Sequence, residues 1–562
     1  MSARVPGRLV DPARGAAQSL WQGAKNVVYA SRFYNYSLKG RHPNRLRVRP
    51  VDLWPGSERI GNALFRGDYE LAGSTIALPN TPPWAPEGAD QAWLEAVHGF
   101  DWLRHFRACE GDAARRHVQA LIRSWLEAYN SWHPLAWRPQ VLATRLIAWM
   151  CHEPLTISSP DLVYRSAVLN SIARQARHLA RVADCAPAGL ARLTAMVGAV
   201  YGGLCLPDGD RRLARAITAL ESELDTLVLA DGGFASRNPS DHFAALQLLI
   251  ALRETLLRAH REDAVMVQTV IDRMAGMLRL FRHGDGGLAL FNGGFEDSPE
   301  EIGRVLKLTR TRARAPAAAP NSGYQNLEAG RTKVLIDTGR APEGDLSLRA
   351  HAGVLGFEMS TGKTRLVVNC GSIEVAARTR AWDRVSRSSA AHSTLVINNR
   401  NSALLLDSGR VAEGPQTLTV ERNQEDGAIW LDASHDGYMG PCGLVHRRRL
   451  YLDASGDDLR GEDMIVGPGA ARARGLEFDV RFHLHPRVRS SIVQNGQSVL
   501  LRLRRGEGWR FEARGGRVRV EESVYLGLRG VSRKCQQIVV SGRLDGGETR
   551  VNWSFKRVEP GT

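Results

Sequence analysis

Apolar positions recur every three to four residues from about 90 to 310, then every second residue from about 330 to the end. In AWLEAVHGFDWLRHF (92–106), Leu94, Val97 and Phe100 share one helical face. The spacing continues in HVQALIRSWLEAY (117–129), VLATRLIAWM (141–150) and LVYRSAVLNSIARQARHLARVA (162–183). RRLARAITALESELDTLVLA (211–230), FAALQLLIALRETLL (243–257) and VMVQTVIDRMAGMLRLF (265–281) extend it. Short Pro- or Gly-bearing turns separate these segments, which predicts antiparallel helical hairpins stacked around a centre. In TRTRARAPAAAPNSG (309–323), Pro316 and Pro320 stop the helix and favour an extended linker. The period of two then runs through RTKVLIDT, VLGFEMS, TRLVVNC, STLVINN, AIWLDAS, RRLYLDA, FDVRFHLH, SVLLRLRR, WRFEARG, RVRVEESV and QQIVVSG, with Gly, Asp and Asn turns between. Many short strands at this spacing predict a β-sandwich. The expected order is a basic, aromatic arm over 1–60 (Trp21, Tyr29, Phe33, Tyr34, Tyr36), an (α/α) toroid over 61–312, a linker over 313–323 and an antiparallel β-sandwich over 324–562.

A chain of 562 residues exceeds a single core, in keeping with this division. Its formal charge of +16, carried mostly by Arg, favours acidic partners: glycans, nucleic acids or anionic membrane surfaces. An arginine-rich genome is the plainer explanation of that charge. The seven cysteines are scattered and form no CxxC pair, which argues against a disulfide framework and a cysteine zinc knuckle. The first thirty residues show no apolar core of a secretory signal, and no stretch reaches the ~20 apolar residues of a membrane span. A membrane-surface helix in the arm has only weak support. No nucleic-acid recognition motif stands out.

Several segments resemble heparinase II/III-type proteins, especially a subgroup common in alphaproteobacteria. They are WLRHF (102–106), ATRLIAW (143–149), SRNPSDHFAALQLLIALR (236–253), FRHGDGGLALFNGG (281–294) and SGYQNLEAGRTKVLIDTG (322–339). LRAHAGVLGFEMS (348–360), LVVNCGS (366–372), RSSAAHSTLVINN (387–399), ASHDGY (433–438) and RFHLHP (481–486) complete the set. The resemblance implies a toroid followed by a sandwich, lyase chemistry on a uronate-containing polysaccharide, and a place in the cell envelope. The cytoplasm stays open because no signal is visible.

β-Elimination at a uronate needs a carboxylate neutraliser, a base for the C5 proton and an acid for the leaving oxygen. The resemblance points to Asn238 as neutraliser, with Arg237 beside it as a substrate contact. A turn and helix start is the plainer reading of Arg237-Asn238-Pro239. His242 is a candidate base or sugar contact. His283, in FRHGDG with Arg282 and Asp285, could line the toroid mouth, or simply end a helix. Asn292 in FNGG is a similar loop candidate. Arg387 is expected to face the cleft as a carboxylate or sulfate clamp, a surface salt bridge being the alternative. Tyr324 and Tyr438 are further substrate-contact candidates. Where characterised lyases carry a catalytic Tyr, this chain reads LALFNGGFEDS, with Phe291 and Phe295, so either another group transfers the protons (His242, His283, or a Tyr such as Tyr324 or Tyr438) or the activity differs or is lost.

His351 and His392 match the zinc-binding histidines of characterised relatives, and Asn369 falls where a ligating Asp is usual. Zinc takes a neutral amide oxygen poorly. The set reads either as a structural zinc site or as a hydrogen-bonded His/Asn/His cluster that pins strands together. Two functions follow from the resemblance: a lyase acting by β-elimination on an acidic polysaccharide, or a catalytically altered acidic-glycan-binding protein on the same scaffold.

Overall fold

The computed structural model describes residues 25–558, apart from 110, 374–379, 494, 495, 497, 504 and 505. Trp21 of the arm lies outside these residues. Helices fill the first part and antiparallel sheets the second. Side-chain oxygens of Ser57, Asp90, Asp161, Asn238 and Ser298 cap the helices that follow them, satisfying amides that no helix bond reaches. The helix Leu190–Leu204 went unread in the sequence because it is apolar on every side. It packs against Pro139–Cys151, Leu162–Val182, Asp210–Leu227 and Pro239–Arg258, and so sits at the middle of the toroid. Its glycines permit this. A Cβ at Gly198 would come within 2.8 Å of the Ala143 backbone. The small hairpin Asp68–Leu71/Ser74–Ala77 was also unforeseen.

The described part of the arm packs over the toroid through Tyr34, whose hydroxyl meets His178 Nδ1 at 2.6 Å. Phe33, 89% exposed, and Val27 point to solvent. No helix among the described residues is long and apolar enough to cross a membrane.

Among the described residues the sandwich has two large sheets. The outer one runs Leu418–Glu425, Ala428–Tyr438, Leu444–Leu452, Asp458–Val466, Thr549–Val558, Gly508–Arg514, Ser498–Arg502 and Arg489–Val493. The other, which faces the toroid, runs Arg517–Leu528, Val531–Arg543, Glu477–Leu484, Thr364–Val368, Phe357–Thr361, Thr332–Asp337, Tyr324–Ala329 and Ala318–Ala319. Leu395–Ile397 pairs with Glu477–Leu484. Phe357, Phe482, Phe511, Trp553 and Phe555 fill the space between the sheets. Ala318 and Ala319 already pair with Gln325 and Tyr324, so the end of the expected linker belongs to a sheet.

Candidate functional site

The segment Arg237-Asn238-Pro239 turns the chain into the helix Pro239–Arg258. Arg237 has φ +57°, a left-handed conformation unusual for a side-chain-bearing residue. This sends neighbouring side chains in different directions. Asn238, 1% exposed, caps the helix: its Oδ1 accepts from Ser240 N at 2.8 Å and Asp241 N at 3.2 Å. Arg237 crosses into the sandwich. It is ion-paired with Asp337 and donates to the carbonyls of Ser322 (2.7 Å) and Arg340 (2.7 Å). Its guanidinium lies 4.9 Å from the centre of the Tyr324 ring.

Asn292 ties the same region together from a second toroid loop. Its amide nitrogen donates to Tyr324 Oη at 3.0 Å and Asp337 Oδ2 at 3.2 Å, while its oxygen accepts from His351 N at 3.2 Å. Tyr324 in turn donates to the Arg237 carbonyl at 2.5 Å. A parallel clasp starts at His283. Its Nε2 lies 2.9 Å from Glu358 Oε2 and its Nδ1 2.9 Å from Ser360 Oγ. Glu358 also accepts from the amides of Leu290 (3.2 Å) and Asn369 (3.0 Å). Arg365 grips Asp285 with two nitrogens, at 2.8 and 3.2 Å. Arg237, His283, Asn292, Tyr324, His351 and Asn369 thus converge, in a buried polar network that joins toroid to sandwich.

The His351, Asn369 and His392 set sits at the edge of this network. His351 Nδ1 and His392 Nε2 are 3.0 Å apart, and His392 Nδ1 donates to the Ser388 carbonyl at 2.7 Å. With that proton fixed, neutral His392 offers Nε2 as the acceptor and His351 donates to it. Asn369 Oδ1 already accepts from Ser393 N at 3.0 Å. No group of three His, Cys, Asp or Glu suited to a metal occurs among the described residues. Two imidazoles and a neutral amide are a poorer donor set than zinc usually takes.

Four other expectations need correction or relocation. Arg387 is neither a cleft clamp nor a surface salt bridge. It is buried, donating to the carbonyls of Ala350 (2.9 Å) and Ser347 (3.3 Å) with Asp383 at 3.6 Å. Tyr438 is sealed inside the sandwich and donates to the Leu395 carbonyl at 2.8 Å. His242 is fully buried. Its Nε2 donates to the Met274 carbonyl at 2.9 Å, and burial pushes its pKa down to about 4. Tyr324 has no solvent exposure, and burial raises its phenol well above the ordinary value, the reverse of what a proton-abstracting phenolate requires. Burial, with Arg365 alongside, also keeps His283 below its ordinary pKa despite Glu358.

A cleft of about 710 Å³ separates the first toroid helices from the hairpin tip Arg529–Gly530–Val531, and Asn238 does not line it. Its charged walls mix Arg59 and Arg529 with Glu70, Glu95 and Asp101, so it is not the positive groove a polyuronate would favour. A smaller pocket of about 390 Å³ is more basic. Arg331, Lys363, Arg365 and Arg487 outnumber Asp285 and Glu507 there. It lies on the His283 side of the seam, since Asp285 and Arg365 form part of its wall.

The residues that complete the network, Asp337, Glu358 and Arg365, escaped the sequence reading. Glu358 had a detectable signal: a carboxylate in GFEMS, a strand buried along its whole length. A charge at such a position calls for a buried partner.

Fold and network together define a toroid-plus-sandwich protein of the heparinase II/III class. Residues 311–554 match the family described as heparinase II/III-like, C-terminal. FtsZ-localized protein C of Caulobacter vibrioides (strain NA1000 / CB15N) is 31% identical over 580 residues, covering 98% of this chain and 98% of that one. The chain belongs to the heparinase II/III-like family. Solved structures share the fold. Heparinase III aligns with a TM-score of 0.74 at 12% identity, over 99% of this chain and 93% of that one. The heparan sulfate lyase HepC from Pedobacter heparinus aligns at 0.62 and 16%, over 97% and 90%.

Proposed function

We propose that the chain is a catalytically altered member of its family, one that binds an acidic glycan without cleaving it. One observation carries this reading: the residues with a candidate role in proton transfer or neutralisation are buried, and each is held by at least one hydrogen bond within the protein. Asn238 caps a helix, His242 and Tyr324 hold carbonyls, and His283 holds Glu358. Phe291 and Phe295, in the segment where a catalytic Tyr was expected, cannot move a proton. The basic pocket at Arg331, Lys363 and Arg487 supplies the charge for a carboxylate- or sulfate-bearing chain.

The test is retention of the full-length protein on immobilised polygalacturonate or alginate. Lys363→Glu combined with Arg487→Glu should abolish retention, and the eluted polymer should keep its length. Shortened polymer, or retention that survives the double change, would overturn the reading.

The place of action is proposed from the Caulobacter relative, whose printed name puts that protein with FtsZ. We place this chain likewise at the site of division, in preference to a general envelope location. A fluorescent fusion in an alphaproteobacterial cell should form a band that follows FtsZ. An even distribution through dividing cells would count against it.

The lyase reading keeps some support. The amide nitrogen of Asn238 makes no hydrogen bond among the described residues, leaving a donor unspent, and His242 Nδ1 is likewise without a hydrogen bond among them.

A further inference from the structure

The outer sheet carries a second surface, in a different sheet from the strands that meet the toroid. Across its first strands, antiparallel register sets residues directly opposite one another in two adjacent rows. One row reads Asn423, Trp430, Tyr451 and Arg460. The next reads Glu421, Asp432, Arg449, Glu462 and Asn552. Alternation along each strand turns both rows to the same outer face. They line a depression of about 520 Å³.

The aromatic row is unusual for a solvated sheet face. Trp430 is 40% exposed, and its ring centre lies 5.0 Å from that of Tyr451 at a tilt of 49°. Arg460 sits 5.6 Å from the Tyr451 ring centre. A cross-strand aromatic pair stabilises a sheet by itself. It does not by itself require a depression, nor a row of hydrogen-bonding groups along one side. Trp and Tyr present a broad apolar face with little conformational entropy to lose, which is what a rigid ring with C–H faces packs against.

Most charges of the two rows are already paired. Asp432 holds Arg447 at 2.5 Å and Arg449 at 2.8 Å. Glu462 has Arg449 at 3.3 Å and Arg550 at 3.7 Å. Arg460 holds Asp458 at 2.7 Å. Paired carboxylates and guanidiniums offer little net attraction to a polyanion. They still offer lone pairs and N–H groups, fixed in direction, to hydroxyls.

We propose that this face is a saccharide-binding platform for an uncharged pyranose chain. Sugar rings stack on Trp430 and Tyr451, and their hydroxyls bond to Asp432, Arg449, Glu462 and Asn552. The platform is independent of the basic pocket and of the acidic-glycan reading, and its ligand class differs in charge.

The experiment is affinity electrophoresis of the full chain in gels containing a mixed-linkage β-glucan, a mannan or chito-oligosaccharides, with polygalacturonate as the acidic contrast. At least one neutral glycan should retard the protein. Trp430→Ala and Tyr451→Ala should each weaken that retardation about tenfold, the order expected for one lost stacking contact. Trp430→Phe should keep part of it, so a folding defect and a lost stacking contact are told apart. Lys363→Glu with Arg487→Glu should leave neutral-glycan binding unchanged while removing polygalacturonate binding. Absence of binding to every neutral glycan, or wild-type binding by Trp430→Ala, would overturn the platform. So would a Trp430→Ala protein that loses only a co-purifying protein partner. Loss of polygalacturonate binding alone would bear on the basic pocket and not on this face.

Discussion

The seam between toroid and sandwich and the outer face of the sandwich use similar residue types to opposite effect. At the seam, Arg237, Asp337, Asn292, Tyr324, His283 and Glu358 are buried and spend their hydrogen bonds on one another. On the outer face, Arg449, Asp432, Glu462, Tyr451 and Trp430 are at least partly open to water. The difference lies in desolvation. A buried polar group stripped of water must find its partner within the protein, and a fully satisfied network then fixes a single arrangement of the two domains. A partly solvated group keeps spare capacity for a ligand. Resemblance picks out chemistry-bearing residues, but burial decides whether they act on a substrate or on each other.

The sharpest way to break this contrast is to remove one side of the buried pair. Arg237→Ala leaves Asp337 as an uncompensated buried charge. Unfolding in urea should show a loss of about 3–5 kcal/mol. A loss below about 1 kcal/mol would mean that the seam is wet. Asn292→Ala should cost about 1–3 kcal/mol by removing the partners of Asp337 Oδ2 and His351 N, read from the same denaturation curves.

Acid should weaken the buried regions next. His242 has its pKa lowered from 6.5 to about 4 in the fold, so the unfolded chain binds its proton first as pH falls. The stability tied to the neutral form is therefore present above 6.5 and lost progressively from 6.5 down to about 4. Each such histidine contributes a slope of about 1.4 kcal/mol per pH unit in that window. Melting temperature against pH reads the slope. His242→Leu should flatten it, and an unchanged slope would show that this histidine is not sealed. The smallest effect is expected on the outer face, where Trp430→Ala should shift stability by no more than about 1 kcal/mol. A larger shift would make Trp430 part of the core.

Much of the fold was legible because its two periods are physical. Leu94, Val97 and Phe100 recur at helical spacing because one face is buried, and VLGFEMS and FDVRFHLH read as strands. The central helix Leu190–Leu204 was not legible, because burial on all sides erases the periodicity. Of the site, the residue types were legible and their roles were not. Asn238 as a helix cap could be read from its place before Pro239, and that plainer reading describes its contacts. Arg387 looked like a cleft residue because a lone arginine carries no local mark of the carbonyls of Ala350 and Ser347 that surround it. Pairings such as His283 with Glu358 join residues 75 positions apart, and only the fold brings them together.

The proposal of a non-cleaving family member treats the seam as a structural lock. The most direct measurement is ultraviolet absorbance of unsaturated product from the purified full-length protein on a panel of uronate polysaccharides. Wild type and Asn238→Ala should both stay at baseline. Absorbance that rises with wild type and vanishes with Asn238→Ala would contradict the account.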